Sequence, residues 1–286
     1  MTSTPAIPPA TADQLAAYLA RIGFVGEPRP DLETLVAVHR GHVGAIAWEC
    51  IDCFIGRPTG RDPRAAFDKL VTGGRGGWCY EMNGLFAWML EAIGFSLTRL
   101  AAGVMRDRMG DQAIGNHLTL IVHLDRDYVA DVGLGAGLIE PIPFAPGRHE
   151  QRGIAFALED LGDGWWRFHN QPDVLPPSFD FSTAVRDEAL LEGACQWLQS
   201  DPGSPFRQNV VVQRYDGAVL ASLVGATLVR KGADAGPPRP IADAADYAAT
   251  LAREFGLGAS DALAIWARIG EVEAAKAAAA AAAAAD

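Results

Sequence analysis

The sequence predicts an α+β fold, with helices at the N-terminal end and strands after them. Two observations carry this. Apolar residues recur at helical spacing, with caps, up to about residue 94. Beyond that point the pattern changes to alternating or short apolar runs separated by glycine and aspartate, which is strand spacing. Short helices return near the C-terminal end.

Thr11 and Gln14 are spaced as a capping box for a helix through about Phe24, and Leu15, Leu19 and Ile22 then share one face. A second helix starts near Asp31 and turns Leu32, Leu35, Val36, His39 and Val43 inward. A third has Asp62 as its cap, Pro63 at its first position, and Phe67, Leu70 and Val71 inside; the glycines of 73–77 end it. A fourth spans about 79–93. Met82, Leu85, Phe86, Met89, Leu90 and Ile93 form its stripe, and Gly94 suits a left-handed terminus. Strands are expected at 96–105, 117–124, 127–134, 152–160 and 164–170, followed by a helix over 188–199. A hairpin joins 208–215 to 218–225 around Asp216-Gly217, and two short helices follow at 244–255 and 261–269. The alanine-rich tail, 277–286, is low complexity and has helix-forming composition.

The 286 residues are 49% hydrophobic and 21% charged, the balance of a soluble globular protein. No apolar run is long enough to span a bilayer, and residues 1–14 lack a basic start and apolar core. The expected location is cytoplasmic. A net charge of −11 argues against a nucleic-acid partner, whose phosphates call for basic surface. Arg106, Arg108, Arg214, Arg230 and Lys231 are candidate donors to a phosphorylated cofactor, and equally read as solvated charge. Nothing in the chain sets an oligomeric state. Of the four cysteines, Cys50 and Cys53 form a CxxC, but no second pair completes a zinc site, so no metal is expected.

Cys79 carries more chemistry. It lies in RGGWCYEMN, 75–83, between paired glycines and the start of a helix. Unpaired N–H groups at a helix start favour a thiolate, and a neighbouring imidazolium does so more strongly. The glycines permit a sharp turn and leave room for substrate beside the sulfur. Of six histidines, His117 stands at the entry to an apolar strand. Asp131 lies within VADVGLG, where an unpartnered carboxylate would be costly. Strands joined by a short turn would bring His117 and Asp131 together. The pattern suits Cys79 as nucleophile, His117 as base and Asp131 as its orienting partner. The Cys79 N–H is a candidate oxyanion donor. Backbone amides around Gly133 and Gly135 are candidate neighbours for a cofactor phosphate. On these residues alone a hydrolase, an acyltransferase and a catalytically silent binding protein all remain open.

The chain resembles the arylamine N-acetyltransferases. The resemblance is carried by YLARIGF at 18–24, LETLVAVHRGHVGAIAWECID at 32–52, RGGWCYEMN at 75–83, NHLTLIV at 116–122 and DVGLG at 131–135, with a weaker echo in SPFRQNVVVQR at 204–214. It implies a cysteine-proteinase-like core in three parts: a helical bundle (1–94), a β-barrel-like domain (95–205) and an α/β lid (206–276). It also implies ping-pong transfer of acetyl from acetyl-CoA through Cys79 to an arylamine, arylhydrazine or N-hydroxyarylamine, with no metal or prosthetic group. Related amide synthases and users of other acyl-CoAs are alternatives within the family. The resemblance places Trp48, Val104 and Leu134 by the acceptor pocket and pairs Glu49 with Arg75 as structural support. Trp48 lies in Ala47-Trp48-Glu49-Cys50, where the family commonly has Pro-Phe-Glu-Asn. Leu134 replaces a common aromatic, which removes a stacking surface and implies an altered acceptor preference.

Overall fold

The computed structural model describes residues 7–233 and 235–283. The reading of the extreme N-terminal residues 1–6 and of the last three tail residues lies outside them.

Local signals set the helical ends. Thr11 and Gln14 exchange hydrogen bonds of 3.2 and 2.9 Å to start α1 (Ala12–Arg21). The Asp31 carboxylate accepts from Thr34 N–H to start α2 (Leu32–Ala45). After β1 (Trp48–Glu49) comes a short helix absent from the sequence reading, α3 (Ile51–Ile55), on which Cys53 is buried. Cys50 and Cys53 are free thiols, and Cys50 Sγ accepts from Val211 N–H. α4 (Pro63–Phe67) has the Asp62 cap and continues into a π turn, Asp68–Thr72. α5 (Cys79–Ile93) is buried through most of its length and stops at Gly94, φ +108°.

β2 (Ser96–Val104), β3 (His117–His123), β4 (Asp127–Val129), β5 (Ile142–Pro143), β6 (Gly147–Gln151), β7 (Ile154–Gly162), β8 (Trp165–His169) and β9 (Ser178–Ser182) form one antiparallel sheet in the order β5-β4-β3-β2-β9-β8-β7-β6. β2 is its corner: residues 96–102 pair with β3, whereas Gly103 and Val104 pair with β9. The resulting barrel-like sheet encloses Leu100, Ala102, Ile121, Leu134, Phe156, Phe168, Phe179 and Phe181. α6 (Arg106–Met109) leaves β2, and α7 (Glu188–Ser200) and α8 (Pro205–Gln208) follow β9.

A second antiparallel sheet has the order β1-β10-β11-β12-β13. It comprises β1 with β10 (Val211–Asp216), β11 (Val219–Val224), β12 (Thr227–Lys231) and β13 (Arg239–Pro240). Gly217, φ +61°, makes the expected hairpin turn. One apolar cluster joins this sheet to α3, α9 (Ala244–Thr250) and α10 (Ala262–Ala283). α10 runs past the predicted end at 269 and into the alanine tract, because alanine continues a helix at little cost. The largest cluster packs α1, α2 and α5 against β3. No described helix is long and apolar enough to cross a membrane.

Candidate active site

Cys79 is the first residue of α5, and its side chain is buried. The segment before it is held by backbone bonds to β1: Glu49 N–H to Gly77 O at 2.9 Å, and Gly77 N–H to Ala47 O at 3.2 Å. This explains the glycines differently from the sequence reading. A methyl on Gly76 would collide with the Ala47 carbonyl, and one on Gly77 would come within 2.9 Å of Glu81 Oε2. Gly76 and Gly77 make room for β1 and the Glu81 side chain rather than for a substrate.

His117 opens β3, as expected, but Asp131 does not lie on a strand. β4 ends at Val129, and Asp131 sits in the loop beyond it. The two still meet: His117 Nε2 lies 2.7 Å from Asp131 Oδ2, both side chains being buried. Cys79 Sγ approaches the carbonyl of Asn116, the residue before His117, at 3.9 Å. With Nε2 engaged, Nδ1 is the His117 nitrogen available to exchange a proton. Burial works against an Asp131 carboxylate, yet the His117 charge and hydrogen bonds from His117 and Asn83 hold its pKa below the usual value. Burial pushes the Cys79 thiol well up, reinforced by the charges of Cys195 and Asp131. Burial therefore opposes ionisation of this sulfur, and the N-terminus of α5 acts against that burial.

Asn83, which sequence reasoning did not single out, assembles these parts. Its Nδ2 donates to Asp131 Oδ1 at 3.0 Å and to Leu118 O at 2.6 Å, and its Oδ1 accepts from Val132 N–H at 2.9 Å. One amide thus ties α5 to both the His117 strand and the Asp131 loop. The available signal was a polar residue four positions after Cys79, on an otherwise apolar stripe. Phe179, also missed, lies 5.0 Å from the His117 ring.

The remaining candidates divide. Trp48 Nε1 donates to Gly133 O at 2.7 Å, which brings Trp48 to the Asp131 loop. Leu134 is buried in the barrel interior, and Val104 packs against that cluster. Gly133 N–H is committed to Asp131 Oδ1 at 2.8 Å, so it is unavailable to a cofactor phosphate. Gly135 adopts φ +73°, and a methyl there would collide with the Gln213 side chain. Arg75 and Glu49 are 3.7 Å apart, but Arg75 is nearer to Asp52, at 2.6 Å. Lys69 stands among the same acids, 2.7 Å from Glu81, 2.9 Å from Asp52 and 3.6 Å from Glu49. Among the phosphate-donor candidates, Arg106 pairs with Asp111 and Asp180, Arg230 with Glu254, and Lys231 donates to Asp173 O. Among the described residues no group of three or more His, Cys, Asp or Glu is arranged to hold a metal ion.

A cavity of about 1080 Å³ lies beside α5, lined by Gly84, Trp88, Leu118, Arg61 and Glu188 among others. It does not include Cys79, His117 or Asp131, and the reaction is not assigned to it.

The N-acetyltransferase family model matches residues 31–264. The arylamine N-acetyltransferase of Mycolicibacterium smegmatis is 32% identical over 271 residues, covering 91% of this chain and 98% of the relative. The chain belongs to the arylamine N-acetyltransferase family. Solved acetyltransferases share the fold of this one. The M. smegmatis structure superposes with a TM-score of 0.80 at 31% identity, covering 90% of this chain and 97% of the other. That of the Mycobacterium marinum arylamine N-acetyltransferase in complex with CoA gives 0.82 at 27% identity, covering 90% and 99%. In this acetyltransferase the residues around Cys79 therefore belong to a fold shared by acetyl-transferring enzymes.

Proposed function

We propose that the enzyme transfers acetyl from acetyl-CoA to arylamines, arylhydrazines or N-hydroxyarylamines by a ping-pong reaction at Cys79. The observation that carries this reading is the buried His117–Asp131 pair, 2.7 Å apart, formed next to the carbonyl that Cys79 Sγ approaches. The CoA complex of the M. marinum relative supports the donor.

In the first half-reaction the Cys79 proton passes to His117 Nδ1 and the sulfur attacks the thioester carbonyl. The new S–C bond forms, the C–S bond to CoA breaks, and the CoA sulfur takes the proton from the imidazolium. In the second, an amine nitrogen attacks acetyl-Cys79 and gives a proton to His117. The amide C–N bond forms, and the Cys79 sulfur leaves and is reprotonated. Asp131 keeps the imidazole oriented and supports its charged form. Burial of the thiol favours a neutral resting state in which charge appears as the proton moves. Trp48, Val104 and Leu134, with Phe179 beside His117, are assigned to the acceptor side. Residues 206–276 are assigned as the lid, with Phe206 at its start packed against Trp48 and Trp78.

The test is intact mass after acetyl-CoA alone. One acetyl group should be gained by the protein, none by Cys79→Ala, and an added arylamine should discharge it. An adduct retained in Cys79→Ala would overturn the assignment, and rapid loss to water without amine would favour a hydrolase. Parallel reactions with propionyl- and malonyl-CoA define the donor range.

A further inference from the structure

Glu81 lies in the first turn of α5, two positions after Cys79, and is buried. Its Oε2 accepts from Lys69 Nζ at 2.7 Å and from Trp78 N–H at 3.3 Å, and its Oε1 accepts from the Thr59 hydroxyl at 2.7 Å. Trp78 has no acceptor of its own to cap the helix, and the Glu81 carboxylate of the first turn reaches back to the Trp78 N–H instead. Lys69 Nζ reaches two further buried acids, Asp52 and Glu49. Arg75 and Arg57 face Asp52 and Asp261 instead. Among the described residues Lys69 is the cation within ion-pair distance of Glu81.

We propose that Lys69 is a positioning residue for the reaction at Cys79: its ammonium keeps Glu81 ionised, and the carboxylate seats Trp78 and the start of α5. This rests on the reading of Cys79 as nucleophile. An ionised acceptor makes a hydrogen bond about twice as strong as a neutral one, so protonating Glu81 loosens the peptide that precedes the sulfur. Glu81 is faced by Glu49 of β1, Asp52 and Cys53 of α3, Thr59, Lys69 of the π turn, Arg75 beyond Asp52, and Cys195 of α7. Burial and Glu49 favour its protonated form, and Lys69 is the main opposing charge. Without the ammonium, Glu81 takes up its proton at a higher pH than in the wild type.

The experiment measures kcat/KM against pH for the wild type, Lys69→Met, Lys69→Arg and Lys69→Met/Glu81→Gln, with acetylation of Cys79 followed by mass. Glu81 sits above its usual pKa even beside Lys69, so Lys69→Met should move the acid limb to higher pH than in the wild type, with activity falling below the new ionisation. Lys69→Arg should retain the wild-type profile. Adding Glu81→Gln should remove the limb, because an amide does not titrate. A loss in Lys69→Met that is the same at every pH, or a limb that survives in the double variant, overturns the proposal. Should Lys69→Met fail to fold, Lys69→Gln carries the same expectation and the same refutation. If wild-type Cys79 is never acetylated, the functional reading fails; if it is acetylated and Lys69→Met is flat with pH, only this inference fails.

Discussion

His39 and His42 make a quantitative prediction about acid stability. Both are fully buried on α2, and their rings meet Phe86 of α5 edge-on, with centroids 5.6 and 5.4 Å away. His39 Nδ1 donates to Ile139 O at 3.0 Å, while its Nε2 is buried without a partner. His42 Nδ1 lies 2.9 Å from the Tyr18 hydroxyl. Burial keeps that tyrosine protonated, so it acts as the donor. His42 Nε2 faces only the weakly accepting Met82 Sδ, at 3.5 Å. Burial lowers the His39 pKa to about 4 and that of His42 to about 3; the like charges of His39 and Arg21 add to the latter. A histidine in the unfolded chain titrates near 6.5. As pH falls below that value the folded form binds fewer protons than the unfolded chain, and stability falls. The neutral-ring contribution is complete above the unfolded pKa and is lost progressively toward about 4 for His39 and about 3 for His42.

Between pH 6 and 5 each ring should cost about 1.2 kcal/mol per pH unit, so the pair costs about 2.4 kcal/mol per unit. That is a large share of a typical stability of about 5–15 kcal/mol. The raised pKa of Glu81 acts in the opposite sense, favouring the folded state as pH falls, so the useful quantity is a difference between variants. Urea unfolding of the wild type and His39→Leu at intervals from pH 7 to 5 measures it. His39→Leu loses the Ile139 bond at all pH values, but its slope between pH 6 and 5 should be shallower by about 1.2 kcal/mol per unit. Equal slopes for the two proteins would refute the reasoning, whatever the absolute stabilities.

Asn83→Leu removes the donor to Leu118 O and Asp131 Oδ1 and the acceptor for Val132 N–H. It should cost about 3 kcal/mol in urea unfolding and lower kcat, and a change below about 0.5 kcal/mol would show that the amide clamps nothing. Leu134→Phe enlarges a side chain buried in the barrel interior. Overpacking should cost about 1–3 kcal/mol and reorder kcat/KM across a panel of arylamines and hydrazines; a panel in which no acceptor changes would remove Leu134 from the acceptor site.

Local chemistry made some features legible from sequence. Thr11 and Gln14, Asp31, and Asp62 with Pro63 announce helix starts because a cap acts within one turn. Gly94 and Gly217 mark reversals because left-handed backbone is inexpensive for glycine. DYVADVGL misled the strand reading, since a run of apolar residues does not reveal that pairing stops at Val129. α3 was missed because five residues carry too little periodicity. The Glu49–Arg75 pairing expected from the family resemblance left out Lys69, whose nearest acids come from α3 and α5.

By itself, the sequence determined the capped helix starts and the glycine turns, that Cys79 stands at a helix start, and which histidine and aspartate were worth considering. Only the tertiary structure decided that His117 and Asp131 share a hydrogen bond, that Asn83 joins them to α5, and that Gly76 and Gly77 yield space to β1. The division has a physical cause. Caps and turns are satisfied by neighbours a few residues away, whereas a buried polar group is satisfied by whatever the folded chain brings beside it.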